Sequence, residues 1–499
     1  MKTAAPAPWS FCLFLCAMTA AVYWPVGRYP FVHFDDNFYV TQNPVVQRGL
    51  TRGGLHEVFT TPSPGGWPHP LALVSHMLDC QLYGLNAGGH HISNVLFHMA
   101  AAIFLFLALL EMTADPWRSS FVAAVFAVHP LQVESVAWVA ERKNVLNGFF
   151  FMLTLWLYSR YARRPCASRY AGMMAAFVLS LLSKSVVVGL PVVLLLLDFW
   201  PLRRKDSWKR LILEKVPLLL LSGACAALAL RLVASLSVPL PLTVRAGFAL
   251  ANAEGYLRMA VWPSALCVFY PFVREVPVWK IALGSALVIP ATVFAIARAR
   301  QKPWFFVGWL WFLAALVPYS GFVQLHEQAM CDHYMYLPLI GLALAAAWSV
   351  PDSVGEQVKI LAGAGIVVAL MIASGLQLRY WQDGATLFRR ALMFHPESAS
   401  VHVNLADAFY EQGALQDAVA EYRAGLALDP RHAEAHNNLA IAYIVLGQPS
   451  QAEKELLEEL KEDPGNSKAR HNLEVVRERL AKAKAAPPPP PRPSRRPRK

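Results

Sequence analysis

Two adjacent carboxylates, Asp35 and Asp36, lie in the stretch HFDDNFYV, directly after the first apolar segment of the chain. A carboxylate in a partly dry cleft can serve as the general base that takes a proton from an attacking hydroxyl. Neighbouring side chains point opposite ways along a strand, or about 100° apart on a helix. At most one of the pair is therefore expected to face a given substrate atom, while the other holds an orienting hydrogen bond. A helix cap or a solvated pair of loop residues is the plainer alternative. A second group lies in HPLQVESVAWVAERKN (129–144), where Glu134 and Glu141 share a face if one helix persists through both, and Arg142 and Lys143 follow at once. Fixed cations in a low-dielectric site stabilise charge developing on a departing phosphate. An interfacial pair with snorkelling heads is the alternative reading of the same two residues. Lys184 in LLSKSVVVGL, and Glu327, Asp332 and His333 in HEQAMCDHYMYLP, add polar groups beside further apolar runs.

These groups must be positioned by membrane helices. Of 499 residues, 56% are hydrophobic and only 16% charged, and the mean hydropathy is +0.37, so the chain is far more apolar than an ordinary soluble protein. Its apolar residues fall in blocks of spanning length: 11–26, 92–111, 121–136, 145–161, 170–183, 186–200, 211–232, 279–297, 303–319, 334–350 and 358–378. About eleven spans are expected. Arg163, Arg164 and Arg169, then Arg203 to Lys205 with Lys209 and Arg210, then Arg298, Arg300 and Lys302 all fall on the side of Lys2, which the positive-inside rule makes the cytoplasm. The first segment is read as an uncleaved span rather than a signal peptide, because no clean cleavage site precedes its Tyr-Trp-Pro exit. The loop 27–91 then lies outside and is dense in ionisable groups next to hydrocarbon, among them Asp35, Asp36, His56, His69, His76, Asp79, His90 and His91. The stretch 245–277 is too polar and proline-broken for an ordinary span and reads as an interfacial or re-entrant segment.

Beyond the last span the chain repeats itself. Pro396, Pro430 and Pro464 recur at a spacing of 34 residues, as do Asn404, Asn438 and Asn472, and Leu405, Leu439 and Leu473. This is the period of tetratricopeptide repeats, helical hairpins stacked into a solenoid whose concave face takes a peptide or a partner protein. The last residues, 483–499, form a Pro/Arg-rich tail expected to be disordered. That tail and the inner loops carry much of the net charge of +12, so no nucleic-acid partner is inferred. Seven cysteines without paired spacing support no disulfide framework. His69, His76 and Asp79, and His91, Asn94 and His98, lie close in sequence, but tight ligand motifs are absent and no metal site is expected.

The stretches FDDNFYVTQNP, PHPLALVSHMLDCQLYGLN, GHHISNVLFH, HPLQVESVAWVAERKNVL, LLSKSVVVGLPVVLLLLDFWPL and CDHYMYLPLIG, followed by the repeats, resemble the transmembrane and tetratricopeptide-repeat protein O-mannosyltransferases and their bacterial relatives, GT-C class glycosyltransferases. The resemblance runs from Phe34 to about Leu480. It implies a polyprenyl-phosphate sugar as donor and no obligatory cofactor. Asp35 or Asp36 would be the base that activates a Ser or Thr hydroxyl for inverting transfer, and Glu141, Arg142 and Lys143 would line the donor phosphate. Lys184, Asp332 and His333 join them as donor-binding candidates, and His91 and Glu134 as further outer-loop candidates. The repeats 396–482 would hold the acceptor polypeptide. The chain departs from the family's usual pattern at Asn144 and Ser185, where that pattern has acidic residues, and at His333, where it has Arg.

The expected architecture is all-α: a polytopic GT-C-like helix bundle over 1–380, repeats over 381–482 on the outer face, and the tail. High Ala, Leu and Arg point to a bacterial inner membrane, with the N-terminus cytoplasmic and the repeats periplasmic. The function expected is that of a glycosyltransferase moving mannose or another hexose to an outer-side protein. The alternative is a non-catalytic membrane scaffold whose repeats recruit envelope proteins.

Overall fold

The computed structural model describes residues 7–61, 69–185, 188–233, 240–272, 275–322 and 328–485. Among them the only strands are Tyr270–Pro271 and Gln328–Met330, paired antiparallel with Tyr270 opposite Met330. Everything else is helix and connecting loop, an all-α membrane bundle followed by a repeat solenoid. The chain divides into two compact units, Met1–Ala391 and Leu392–Lys499.

Each of the eleven expected apolar segments contains a helix, but the helices are unequal. Five are long and apolar enough to cross a membrane: Pro8–Arg28, Ala87–Thr113, Trp208–Arg231, Val278–Ala297 and Glu356–Trp381. The bent pair Pro116–Val128 and Pro130–Ala137 makes a sixth if counted as one span. Ala167–Ser183, Leu190–Phe199, Pro303–Tyr319 and Pro338–Ser349 are shorter, at 10–17 residues. They supply at most about 26 Å of helix against the roughly 30 Å of a hydrocarbon core. Arg142–Arg163 has 22 residues but opens on Arg142 and Lys143 and closes on Arg160 and Arg163. By length and composition the described residues therefore hold five or six full crossings rather than eleven. The short helices pack against one another and against longer ones, as Pro303–Leu316 does on Pro338–Ser349 and Ala167–Ser183 on Arg142–Arg163.

The segment that carries the second polar group is broken twice. Proline disfavours a helical conformation in the residue before it, and His129, ahead of Pro130, is extended at φ −76°, ψ 139°. Its Nδ1 accepts the Leu131 N–H at 3.2 Å, and the two helices meet at a 53° bend. A second extended residue, Trp138, ends the helix Val133–Ala137. Glu134 and Glu141 consequently do not share one continuous helix. The region 245–277 is mostly the helix Leu242–Val261, interrupted in its apolar character by Arg245, Asn252, Glu254 and Arg258, and then the short strand.

In the second unit the 34-residue period becomes the hairpins Ala399–Glu411 with Leu415–Leu428 and Ala435–Val445 with Pro449–Glu462, followed by Ser467–Ala485. Gly413 and Gly447 turn each hairpin at φ +75° and +70°, a region where only glycine is unstrained. Ala406, Ala440, Ala418 and Ala452 are fully buried where the helices approach. A side-chain clamp repeats as well. His402 and His436 each bring Nδ1 to a glutamate of the following helix, Glu421 at 2.7 Å and Glu455 at 2.8 Å. The other ring nitrogen meets the carbonyl of Pro396 at 3.1 Å or Pro430 at 3.2 Å, and Arg470 donates to the equivalent Pro464 carbonyl at 3.2 Å. Of the expected tail, residues up to Ala485 continue the last helix and the remainder lies outside the described residues.

Candidate active site

The two aspartates are separated by their surroundings. Asp36 is fully buried, and both of its oxygens are occupied: Oδ2 accepts the Val32 N–H at 2.8 Å and Oδ1 the Ala140 N–H at 2.8 Å. The second bond reaches 104 residues along the chain and ties the loop 27–91 to the single helical turn Val139–Glu141 that follows Trp138. Phe34 reinforces the tie by stacking on Trp138 at 5.1 Å. Burial pushes the Asp36 carboxyl up to about 7, against the pull of its two backbone donors. That value alone would suit a base, but geometry comes first, and neither oxygen is free to meet a substrate. Asp35 is the accessible member. Its side chain is 39% exposed, with Oδ2 3.8 Å from Lys143 Nζ. Burial and the charge of Glu141 lift its carboxyl above the ordinary range, with Lys143 opposing.

Around Asp35 the broken segment, the end of the helix Ala167–Ser183 and the short turn Asp332–Met335 converge. Glu141 is buried at the centre. Its Oε1 lies 2.8 Å from Lys143 Nζ and 3.9 Å from His333 Nε2, and its Oε2 lies 3.6 Å from Lys184 Nζ. Burial alone would raise the Glu141 carboxyl, but the ammonium groups of Lys143 and Lys184 hold it below the usual range. Glu134 clamps His333 from the other side, taking its backbone N–H on Oε2 at 2.8 Å and lying 3.1 Å from Nδ1 through Oε1. Burial keeps that imidazole neutral, with a pKa lowered to about 3 despite Glu141. The lysines also sit over aromatic rings: Lys143 is 4.8 Å from Tyr39 and 5.5 Å from Trp138, and Lys184 is 5.4 Å from Tyr319. Cations over ring faces are held in place by the ring quadrupole. These aromatics were not singled out from the sequence, although Tyr39 and Trp138 stand in its quoted motifs.

Asn144 fits as a neutral linker. It donates to Ser135 Oγ at 2.8 Å and to the His333 carbonyl at 3.0 Å, and takes Lys184 Nζ at 3.4 Å. Three of the expected residues are not brought into this cluster. Arg142 turns away from Lys143, because consecutive residues on a helix diverge by about 100°. It is fully buried, donating to Asp79 at 2.6 Å, Ser75 at 2.7 Å, the His90 carbonyl at 2.8 Å, and Asn94. Its donors are spent inside the protein, so a donor-phosphate role for Arg142 does not fit this arrangement. Asp332 points toward Tyr270, whose hydroxyl donates to it at 2.6 Å. His91 bonds the Pro30 carbonyl through Nε2 at 3.2 Å and braces the loop. Of the residues weighed as metal ligands, Asn94 holds Arg142, and His98 bonds the Tyr336 hydroxyl at 2.8 Å and the Ala127 carbonyl at 3.0 Å, whereas His76 and Asp79 lie close to His90.

The cluster therefore holds one accessible carboxylate beside two buried ammonium groups, a buried carboxylate and a neutral imidazole. It can take a proton at Asp35 and offer positive charge a few ångströms away.

A family profile described as TPR repeat matches residues 406–447. Protein O-mannosyl-transferase F38B6.6 of Caenorhabditis elegans is 22% identical over 414 residues, covering 77% of this chain and 58% of the worm protein. Protein O-mannosyl-transferase Tmtc2 of Drosophila melanogaster is 29% identical over 160 residues, 30% of this chain and 17% of its own. Human TMTC2, another protein O-mannosyl-transferase, is 31% identical over 121 residues, 24% of this chain and 13% of its own. The chain thus spans less than two thirds of the length of these curated relatives. Among solved structures, the Archaeoglobus fulgidus oligosaccharyltransferase tethered with an acceptor peptide matches at a TM-score of 0.42 and 11% identity, over 75% of this chain and 55% of its own. ArnT from Cupriavidus metallidurans bound to undecaprenyl phosphate matches at 0.38 and 14%, over 90% and 80%. The chain is similar to the protein O-mannosyl-transferases, the family that its motifs resemble.

Proposed function

We propose that this protein is an integral-membrane glycosyltransferase that moves a sugar, mannose or another hexose, from a polyprenyl-phosphate donor to a Ser or Thr hydroxyl of a protein on the outer side. The observation that carries the reading is the half-exposed Asp35 beside Lys143, Lys184 and Glu141, with Asp36 locked behind it. In the reaction the acceptor oxygen attacks the anomeric carbon from the face opposite the phosphate, which inverts the centre. Asp35 takes the hydroxyl proton. The bond between the anomeric carbon and the phosphate oxygen breaks with its electron pair on the phosphate, whose growing charge Lys143 and Lys184 stabilise. Glu141 keeps both ammonium groups oriented, His333 supplies a neutral polar contact between Glu134 and Glu141, and Asp332 acts indirectly by fixing the turn that carries His333.

The names of the curated relatives support the same reaction class. On this reading the N-terminus is cytoplasmic, Asp35 and the repeats face the periplasm of a bacterial inner membrane, and the repeats 396–482 hold the acceptor.

The test uses membranes containing wild type, Asp35→Asn or a deletion of the repeats, supplied with polyprenyl-phosphate mannose and outer-side proteins, and scored by intact-glycopeptide mass spectrometry. Hexose on Ser or Thr with wild type alone is the expected result. Transfer that survives Asp35→Asn refutes the assigned base. No transfer by wild type, together with loss of a phenotype on repeat deletion alone, turns the reading toward the scaffold.

A further inference from the structure

Apart from the cluster around Asp35, a second buried group of donors lies where the helix Pro70–Tyr83 meets the first turn of Ala87–Thr113. One ligand atom each from His76, Asp79 and His90 lies within 4.8 Å of the others, and all three residues are buried. His90 Nε2 meets the Gly84 carbonyl at 3.1 Å. A carbonyl only accepts, so Nε2 carries the proton and the neutral ring presents a lone pair on Nδ1. That lone pair stands 3.6 Å from Asp79 Oδ2, itself an acceptor. Neither nitrogen of His76 has a partner among the described residues, nor has His90 Nδ1. Three unpartnered, buried ring nitrogens cost about 1–3 kcal/mol each unless something meets them.

A proton on His90 would satisfy only one of the three, beside the Arg142 guanidinium that holds Asp79 Oδ2 at 2.6 Å. A metal ion meets two of the three nitrogens at once, His90 Nδ1 and one nitrogen of His76, and takes Asp79 as a third ligand. Tetrahedral ligand atoms about 2.1 Å from an ion lie about 3.4 Å apart, close to the 3.6 Å between His90 Nδ1 and Asp79 Oδ2, and a side-chain rotation of His76 closes the set. The backbone carbonyl behind His90 is the outer partner that orients metal-bound imidazoles. Asp79 shares its charge with Arg142 and takes the Ser93 hydroxyl on Oδ1 at 2.9 Å, so the site offers two neutral imidazoles and one half-neutralised carboxylate. That donor set suits a borderline first-row ion and is poor for magnesium or calcium.

We propose that His76, Asp79 and His90 bind one divalent transition ion of the zinc type, which staples the outer loop that carries Asp35 and Asp36 onto the helix beginning at Ala87. The site is structural and independent of the transfer reaction.

The experiment uses the full chain purified in detergent, stripped with a chelator and titrated with cobalt(II), whose tetrahedral nitrogen-rich sites give an intense visible band, and then with zinc in competition. Wild type should take up about one equivalent. His76→Ala and His90→Gln should each weaken binding by about tenfold or more, and His436→Gln, in the repeats, should leave it intact. His76→Cys and His90→Cys keep a donor at each position and should add a thiolate-to-cobalt band, a readout that still decides the matter if the Ala and Gln variants fail to fold. Absence of a cobalt band in wild type, binding unchanged in His76→Ala and His90→Gln, or Cys variants without the new band each overturn the proposal and leave water as the occupant.

Discussion

Exchanging each aspartate of the HFDD stretch for asparagine should separate stability from activity. In Asp36→Asn the amide keeps one acceptor and turns the other into a donor, which then faces either the Val32 or the Ala140 N–H, both now at 2.8 Å from carboxylate oxygens. One charge-assisted bond is lost and one buried N–H is left unpaired, a penalty of about 2–4 kcal/mol. The loss falls on the only side-chain bond described from the loop 27–91 to Ala140, so Trp138 and the Glu141 cluster should loosen with it. Asp35→Asn removes a long ion pair of 3.8 Å in which Asp35 is the half-exposed member, and Lys143 keeps its closer partner Glu141 at 2.8 Å, so the cost is within about 1 kcal/mol, but it removes the proposed base, worth about 10²–10⁴-fold in rate. Thermal unfolding in detergent, followed by tryptophan fluorescence, measures the first effect, and initial rates of hexose transfer measure the second. The expected pattern is a clear drop in unfolding midpoint with Asp36→Asn and an unchanged midpoint with abolished transfer for Asp35→Asn. An Asp36→Asn protein as stable as wild type but inactive would refute this division of labour and return the catalytic role to Asp36.

Other perturbations probe the neighbouring groups. Arg142→Ala leaves Asp79 buried without its partner and should destabilise by about 3–5 kcal/mol, seen as loss of folded protein in fluorescence-detected gel filtration; a stable variant whose only defect is a raised KM for donor would restore the phosphate role. Because burial lowers the His333 imidazole to about 3, its proton is already gone between pH 5 and 8, so the pH–rate profile of His333→Gln should keep the wild-type shape over that range. An inflection near pH 6.5 that disappears in the variant would contradict this. In the repeats, the Glu455 carboxylate raises the His436 pKa above its ordinary value. A raised folded pKa stabilises fully below the unfolded value of about 6.5 and less as pH climbs through the folded one. Urea melts of the repeat unit should show wild type losing its advantage over His436→Gln as pH rises from 5 to 8, and a pH-independent difference would argue against the pair.

The six quoted motifs and the 34-residue register were legible because they depend on local sequence. Apolar blocks reveal themselves by composition, Gly413 and Gly447 by a backbone conformation that few other residues accept, and the alanines between them by the close approach of paired helices. The span count was less legible, because short helices such as Leu190–Phe199 look like crossings when their flanking apolar loop residues are included. The break at His129 was signalled by Pro130, but the one at Trp138 has no such marker in its residue type.

What the sequence by itself determined is the class of the protein: membrane helices, a repeat solenoid, and a loop with a carboxylate pair, together with short basic runs beside apolar segments. The division of roles inside those runs was decided only by tertiary structure. Asp35 and Asp36 are neighbours, as are Arg142 and Lys143, and in each pair one side chain is spent on structure while the other faces the cluster. Adjacent residues diverge in direction, and which direction is satisfied depends on partners as distant as Ala140 for Asp36 and Asp79 for Arg142. The same holds for His76, Asp79 and His90, whose convergence depends on the angle at which one helix ends and the next begins. Sequence spacing specifies which side chains are available, and packing alone specifies which of them remain free to act.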